Sequence, residues 1–596
     1  MTRRPSSAPV ALLLVLAAIA DTAAAATITV NSSLDTAAND GVCTLREAIS
    51  SANNNAASGG MANECAAGQA FPTIDEIHFA IPGNADAVQT ITPTGALPPL
   101  TEAAVIDGYT QGNASPNTQA VGTDAKLLIE IDGSALPSGT VLLYVSTDGA
   151  TIRGLVINQL AFNTSGFWIN GHNGNTISGN YVETDPTGNT FADSVNASVP
   201  VTVVGNSNHI GGTNPGDRNV LAGGHGFGSS TLTIAGTGNV VQGNYIGVSA
   251  DGTSALQPGA SVYAIDLSFQ GASSGTLIGG AAPGAGNVIY GAAYAIYMRF
   301  GIDAAVIQGN FIGTDATGSY ALGAGGYGIM IIGAKNTTIG GVGAGNVISG
   351  YGDAITTYNP EAEPGTVIQG NLIGTDSTGT HAIPNSGAGI HIGSPGVDLA
   401  QTPTQSMVGG LNPGEGNTIA YNCGTGVRFD NGATFTRWPI LRNSIHSNHG
   451  LGIALQAFTS LPTPNDSGDA DTGPNNLQNY PVITAAPVSS GTVNVSGTLN
   501  STASKSFRIE FFSGVGCHAS GYGEGRHFLG AMNAVVTNAS GNATFNSSPF
   551  TVPAGHSVFT ATATDPDGNT SEFSQCFGTP DLMFQDGFEG GCSVVD

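Results

Sequence analysis

Gly243-Asn244-Tyr245-Ile246-Gly247 decides the fold, because this phrase returns at a nearly constant spacing along the chain. Its relatives stand at 179–182, 309–313, 370–374 and 442–445. The central asparagines of the five copies are Asn180, Asn244, Asn310, Asn371 and Asn443. Self-similarity at such a long, regular period indicates stacked units that bury their apolar faces on one another.

Each repeat reads as short strands separated by turns. Apolar pairs such as Val306-Ile307 and Val367-Ile368 are bracketed by Gly, Asn, Thr or Asp. The period divides into about three coils of roughly 20 residues, the length of one rung of a parallel β-helix. A β-propeller blade has a shorter period than this repeat. A left-handed hexapeptide helix would show a six-residue repeat, which is absent from the sequence. We predict an all-β chain with a right-handed parallel β-helix over residues 67–455, whose stacked asparagines hydrogen-bond along the axis.

Residues 1–25 have the pattern of a secretory signal peptide. Arg3 and Arg4 precede an apolar run at 11–20, and small residues at 23–25 fit a cleavage site. A membrane anchor is the alternative, but the run is too short to span a bilayer. We expect a mature chain without a transmembrane span that is secreted or held at the cell surface.

The net negative charge of the chain limits which ligands it can bind. The formal net charge is −27, with 41 acidic and 14 basic side chains. Such a chain repels nucleic acid, and a polyanionic ligand would need a local basic patch or a bridging Ca²⁺. We expect a monomer whose partner is a polysaccharide or a cell-surface glycan.

The six cysteines fit an exported protein, because disulfides persist in oxidising compartments. Cys43 and Cys65 fall within one predicted module, as do Cys517 and Cys576, so we predict these two disulfides. The sequence does not assign Cys423 and Cys592.

Residues 26–66 are predicted to close the open end of the solenoid with a strand and a capping helix. Thr44 followed by Glu47 has the capping-box pattern of a helix start. The segment Cys43-Thr-Leu-Arg-Glu-Ala48 resembles the Cys-Ser-Leu-Arg-Glu-Ala motif that opens many exported bacterial parallel β-helix repeat proteins, with Thr44 where Ser is usual. The resemblance extends over most of 27–455. It implies the architecture and export, and it does not imply one activity.

The composition changes after residue 455. Residues 456–477 form an acidic linker in which Asp466, Asp469, Asp471 and Asn475 are candidate Ca²⁺ ligands, although the spacing does not fit an EF-hand and a solvated turn is the alternative. Residues 478–578 alternate apolar and polar positions in short strands, which predicts an immunoglobulin-like β-sandwich. The tail at 579–596 resembles a terminal tag of some exported proteins, and the alternative is a frayed end.

The densest group of bases lies at 421–449. Arg428, Arg442, His446 and His449 are the candidate catalytic residues of this stretch. Tyr421 and Trp438 are candidates for stacking on sugar rings. The alternative is a final, irregular rung with exposed polar groups. We expect the separate His172, His225 and His391 to be corner or surface residues.

Two functions remain open from the sequence. Polygalacturonase-like hydrolysis is weakly supported, because Asp185 has repeat equivalents at 251, 315 and 376 that are typical of turn formers. The favoured hypothesis is an exported, adhesin-like surface protein that binds glycans or other cells. The alternative is a polysaccharide lyase or glycoside hydrolase with a groove along the β-helix, so the sequence leaves catalysis undecided.

Overall fold

The computed structural model describes residues 25–192, 199–224, 229–256, 263–268, 273–323, 325–358, 365–393, 406–431, 436–457, 459–578 and 592. The predicted signal peptide lies outside the described residues except at residue 25, and the predicted tail lies outside them except at Cys592. His225 also lies outside them.

The predicted right-handed parallel β-helix is confirmed, but the expectation of three coils in each period was wrong. Two rungs fill one period, because Asn244, Asn287 and Asn310 occupy consecutive rungs. Within the described residues, three all-parallel sheets run the length of the solenoid. The strands of the 13-stranded sheet are Thr27–Val30, Asp75–Phe79, Ala104–Asp107, Thr151–Arg153, Thr176–Ser178, His209–Gly211, Val240–Gln242, Leu277–Gly279, Val306–Gln308, Thr338–Gly340, Val367–Gln369, Met407–Gly409 and Ile440–Leu441. The strands of the 12-stranded sheet are Gln89–Ile91, Ile129–Asp132, Leu155–Asn158, Tyr181–Val182, Val220–Leu221, Tyr245–Ile246, Val288–Ile289, Phe311–Ile312, Val347–Ile348, Leu372–Ile373, Thr418–Ala420 and Ser444–His446.

The third wall of the coil is an 11-stranded sheet. Its strands are Val141–Val145, Ser165–Asn170, Val201–Val204, Ser230–Ala235, Tyr263–Asp266, Tyr294–Met298, Tyr327–Ile332, Asp353–Tyr358, Ile390–Gly393, Val427–Phe429 and Ile453–Ala454. A small two-stranded sheet lies outside these walls and consists of Ser273–Ser274 and Ile302–Asp303. The described part of the chain also has four 3₁₀ turns, at Gly108–Thr110, Gly133–Ala135, Pro215–Asp217 and Pro474–Leu477.

The interior of the coil is a stack of aliphatic side chains. In the 13-stranded sheet, Ile278, Ile307 and Ile339 lie in register and are fully buried, and the column continues through Ile368 in the next rung. Burial of apolar surface contributes about 25 cal/mol per Å², so a continuous column stabilises each rung through its neighbours.

The repeated asparagines form a buried ladder at one corner of the coil. Asn310 donates from its backbone N and its Nδ2 to Oδ1 of Asn346, at 3.0 and 2.9 Å. Asn346 repeats both bonds to Asn371. The same pattern joins Asn180, Asn219, Asn244, Asn287, Asn310, Asn346, Asn371, Asn417 and Asn443. The expected axial hydrogen bonding is therefore confirmed.

The amino-terminal end is closed by the α-helix Leu45–Asn54. Thr44 is its N-cap and forms the predicted capping box with Glu47. Leu45 and Ile49 join the core of the solenoid, and Arg46 pairs with Asp35 at 2.9 Å. The predicted Cys43–Cys65 disulfide is present.

The carboxy-terminal region forms antiparallel sheets of the kind expected for an immunoglobulin-like sandwich. The strands are Val482–Ala485, Ser496–Asn500 and Asn542–Asn546 in one sheet, Val488–Ser489, Thr492–Val493 and Phe550–Thr551 in a second, and Ser506–Gly514, His527–Val536, Val558–Thr564 and Phe577–Gly578 in a third. Phe507 and Phe511 belong to its separate core. Cys517 and Cys576 form the predicted disulfide, and Cys423 pairs with Cys592, which the sequence did not assign.

The sandwich closes the other end of the coil through buried acids. Glu510 accepts a hydrogen bond from the backbone N of Arg442 at 2.8 Å, and Glu572 accepts one from Leu455 N at 3.1 Å. Gly525 pairs with Ile445 in the last rung. The strand edge that a solenoid leaves open is thus occupied by the sandwich. Across the described part of the chain, no helix combines the length and apolar character that a membrane crossing requires.

Candidate functional site

The outer side of the 11-stranded sheet carries a patch of aromatic side chains. The tyrosine face, as we call it, comprises Tyr263, Tyr294, Tyr297, Tyr327 and Tyr358. Tyr263, Tyr294 and Tyr327 begin adjacent strands, where they stand directly opposite one another and are half-buried. Tyr297 directly follows the fully buried Ile296 on its strand and therefore points to the outer side. It is itself buried, and its ring contacts those of Tyr263 and Tyr294.

The tyrosine rings pack on each other into one surface. The Tyr294 and Tyr327 rings stack at 5.4 Å with an interplanar angle of 12°. Tyr263 contacts the rings of Tyr294 and Tyr297 at 5.0 and 4.8 Å. Such contacts fix the orientation of the rings and leave a rigid, amphipathic surface.

The phenol groups of the tyrosine face lack hydrogen-bond partners among the described residues, although Tyr297 is itself buried. None of the five hydroxyls makes a hydrogen bond to another described residue. Burial raises the pKa of Tyr263, Tyr294, Tyr297 and Tyr358, so these phenols stay neutral and can both donate and accept. Towards the amino-terminal end of the sheet, the rings of Tyr144 and Trp168 stack at 5.8 Å.

An ionic cluster adjoins the tyrosine face on the carboxy-terminal side. His391 Nδ1 lies 3.0 Å from Asp353 Oδ2, and His391 Nε2 lies 2.7 Å from Asp430 Oδ1. Arg428 Nη2 lies 3.2 Å from Asp353 Oδ2 and 2.8 Å from His391 Nδ1. The ring of Tyr358 meets the His391 ring edge-on at 5.4 Å, which joins the cluster to the aromatic patch.

The electrostatics of the cluster favour an ionised Asp353. Burial alone would raise the pKa of Asp353, but the hydrogen bond with His391 and the charge of Arg428 outweigh it, and the pKa lies below its ordinary value. The His391 side chain is 4% exposed, whereas that of Asp430 is 25% exposed. Asp430 is therefore the carboxylate of the cluster with the best access to a ligand.

A third carboxylate, Asp266, lies at the opposite end of the tyrosine face. It accepts hydrogen bonds from Ser268 N at 2.7 Å and Ser268 Oγ at 2.5 Å. Burial raises the pKa of Asp266, although Ser268 and the charge of Arg299 oppose the shift. The Arg299 guanidinium lies 5.8 Å from the centre of the Tyr297 ring.

The sequence-based candidates divide between two places. Arg428 belongs to the ionic cluster, and His391, which we expected to be an isolated corner or surface residue, is its centre, so that expectation was wrong. Arg442 lies instead at the junction with the sandwich, where its guanidinium stands 4.3 Å from the Phe528 ring centre. At this junction, His446 Nδ1 lies 3.1 Å from Ser447 Oγ, and the carbonyl oxygen of His449 lies 3.2 Å from His518 Nε2.

The junction offers little room for chemistry. The cavity beside His446 has a volume of about 20 Å³, close to that of a single water molecule. Burial and the nearby charge of Arg526 lower the pKa of His446 to about 3, so this imidazole is neutral. We therefore place His446, Arg442 and His449 in the support of the sandwich.

The two aromatic candidates from the 421–449 stretch lie away from the tyrosine face. Trp438 is 4% exposed, which leaves no ring face for a sugar. Tyr421 bonds through its hydroxyl to the carbonyl of Thr380 at 3.3 Å and meets the His446 ring edge-on.

The predicted Ca²⁺ ligands come together only in part. Asp466, Asp469 and Asp471 each offer an oxygen within 4.8 Å of the others. Burial, with some contribution from the neighbouring carboxylates, raises the pKa of Asp469 to about 6. Asn475 is fully buried and its amide bonds to the backbone of Trp438 and Thr570, so we remove it from the candidate ligands.

Sequence reasoning missed the tyrosine face because the tyrosines do not share one repeated phrase. Tyr263, Tyr294 and Tyr327 recur once in each rung, at about half the spacing of the Gly-Asn-Tyr-Ile-Gly phrase, so the phrase does not mark them. The usable signal is a tyrosine at the start of successive strands, as in Tyr294-Ala-Ile296 and Tyr327-Gly-Ile329.

Similarity to known proteins is weak. No family model and no curated protein matches the chain. Two solved structures are similar in part: the Dettilon tailspike protein (gp208), with 11% identity over 86% of both chains and a TM-score of 0.25, and the enzymatically active domain of bacteriophage CBA120 tailspike protein 2, with 13% identity over 84% of this chain and 75% of that chain and a TM-score of 0.19. At these TM-scores neither supports an inference about function. The pairing of the strands defines the chain as a right-handed parallel β-helix protein.

Proposed function

We propose that the chain is an extracellular or cell-surface protein that binds a glycan along the tyrosine face. The observation that carries the proposal is the packing of four tyrosine rings, with Tyr358 beside them on His391, while no other described residue hydrogen-bonds the five hydroxyls. Tyrosine suits a sugar because its ring packs on C–H groups while its hydroxyl reaches the sugar oxygens.

The shape of the face fits an extended chain. Four strand spacings of about 4.8 Å separate the strand of Tyr263 from that of His391, which gives a length of about 19 Å. A flat sheet can present such a length without distortion, and Tyr144 with Trp168 continues the aromatic character further along the same sheet. The ligand is therefore an oligomer or polymer in this proposal.

Extracellular location is part of the proposal. All six cysteines are paired, as is common in oxidising compartments and rare in the cytosol. The secretory pattern of residues 1–25 supports the same location.

The test of this function is retention on immobilised polysaccharides. We expect the purified protein to be retained by at least one plant, algal or animal polysaccharide, and Tyr294→Ala with Tyr327→Ala to weaken binding about tenfold or more. Tyr320→Ala is the matched control, because Tyr320 is 59% exposed in a turn outside the 11-stranded sheet. Equal binding by the double variant and the control would contradict the proposal.

Glycan cleavage is a second candidate, favoured by the chain of contacts from Asp353 through His391 to Asp430. An ionised acid that orients a histidine, which in turn contacts a more exposed carboxylate, is an arrangement that can move a proton to or from a bound ligand. Cleavage would release new reducing ends or unsaturated products, and Asp430→Asn would abolish it without loss of binding. Intact polymer after prolonged incubation would exclude this second candidate.

A further inference from the structure

We infer that the polysaccharide bound by the tyrosine face is uncharged. This inference rests on the proposed function and names the chemical class of the ligand. It follows from three observations: the charges on the face, the state of the phenols, and the charge of the whole chain.

Two of the three basic side chains beside the tyrosine face pair with carboxylates, and the third, Arg299, is exposed. Arg428 and His391 are held by Asp353 and Asp430 at hydrogen-bond distance. Arg299 lies over Tyr297, and its charge acts on Asp266. Among these described side chains, three carboxylates face two guanidiniums and one imidazole, so no excess of positive charge is available for a polyanion.

The phenols supply contacts that favour neutral sugars. Phenol hydroxyls are protonated at neutral pH, and burial raises the pKa of four of the five tyrosines further. Neutral hydroxyls and aromatic faces bind the hydroxyl and C–H groups of a sugar without any counter-charge. Sulfate or carboxylate groups gain less, because they lose hydration while Arg428 and His391 already have acidic partners and only Arg299 makes no ion pair among the described residues.

The field of the whole chain acts in the same direction. The formal net charge of −27 repels a polymer that carries a negative charge on each sugar. A bridging cation would need carboxylates that are free of other partners, whereas Asp353 and Asp430 already hold His391.

Pairs of polymers that share one backbone and differ only in charge test the inference. Suitable pairs are methyl-esterified and de-esterified homogalacturonan, hydroxyethyl and carboxymethyl cellulose, and dextran and dextran sulfate. We expect the uncharged member of any retained pair to bind about tenfold more tightly or better. Binding of that member should change little with ionic strength, because it involves no ion pairs.

The outcomes separate this inference from the proposed function. Tighter binding of a charged member, with loss of that binding in the Tyr294→Ala and Tyr327→Ala double variant, would overturn the uncharged class and leave glycan binding in place. Binding of an acidic polymer that appears only with added Ca²⁺ would likewise overturn the uncharged class and leave glycan binding in place. No retention on any polymer, or retention that the double variant leaves unchanged, would overturn the proposed function itself.

Discussion

Glu524 of the sandwich accepts hydrogen bonds from both the backbone N and the Nδ2 of Asn448, at 3.2 and 2.8 Å. One rung earlier, Asn422 donates from the same two atoms to Oδ1 of Asn448, at 3.1 and 2.8 Å. The carboxylate therefore takes the place of the next asparagine, and a side chain from another domain ends an internal ladder of the solenoid.

This relationship predicts different effects for two substitutions. Glu524→Ala leaves two buried donors of Asn448 unsatisfied and should lower the free energy of unfolding by about 2–4 kcal/mol. Glu524→Gln keeps an accepting oxygen and should cost clearly less. Urea unfolding followed by fluorescence measures both variants, and an alanine variant as stable as the glutamine variant would contradict the role of Glu524 as the end of the ladder.

Glu572 predicts a pH dependence at the same junction. Burial raises its pKa to about 7, although hydrogen bonds from Leu455 N and Thr463 N oppose the shift. Since the folded-state pKa lies above the unfolded value of about 4.3, the stability linked to this group is fully present below about pH 4.3 and is lost as the pH rises through the folded-state pKa. The loss should reach about 3–4 kcal/mol above about pH 8.

A comparison of unfolding curves at pH 5 and pH 8 checks this sign. Glu572→Gln should remove the part of the pH 5 to pH 8 change in unfolding free energy that Glu572 causes. Asp469 and His446 titrate in the wild-type protein and in the variant alike, so their contributions remain. His446 acts in the opposite direction, because its lowered pKa costs stability as the pH falls below about 6.5. A glutamine variant with an unchanged pH profile would show that Glu572 is not the source.

Much of the fold was predictable from the sequence, and the reason is the repeat. Asn244 and Asn310 recur because every rung needs a hydrogen-bond donor and an acceptor at the same buried corner. The repeated asparagines therefore predict the ladder. The capping helix was predictable for a similar local reason, since Thr44 and Glu47 satisfy its first turn between them.

The candidate site was not predictable, because loop length decides which residues align across strands. Asp353 and His391 are distant in the sequence, and only the registered pairing of Asp353–Tyr358 with Ile390–Gly393 brings them together. His446 was misjudged for another reason: its environment is formed by the docked sandwich, a contact that no sequence spacing reveals.

The ionic cluster should contribute measurably to stability. Asp353→Ala leaves Arg428 and His391 without their common partner in a largely buried place, and we expect a loss of about 3–5 kcal/mol. Asp148→Ala is the matched control, because Asp148 pairs with His172 on an exposed surface where such pairs contribute little. Equal melting temperatures for the two variants would show that the cluster is not a stabilising network.

Ca²⁺ binding at Asp466, Asp469 and Asp471 stays a prediction, and pH offers a sharp test. Because the pKa of Asp469 is raised to about 6, protons compete with the ion, and Ca²⁺ should raise the melting temperature more at pH 8 than at pH 5. The double variant Asp466→Asn with Asp471→Asn should lose the response. A Ca²⁺ effect that survives in this variant would place the ion elsewhere, and no effect in the wild-type protein would leave the three acids as a solvated turn.

The closed ends of the coil predict a monomer. The helix Leu45–Asn54 covers the first rung, and the sandwich occupies the edge of the last, so neither described end offers a free strand to a second copy. Light scattering of the chain should give the mass of one molecule. Removal of residues 478–596 should expose Ile440–Leu441 and Ser444–His446 and cause association that depends on concentration. A monomeric truncated chain would show that the last rung needs no cover, whereas an intact chain that dimerises would show that another surface pairs.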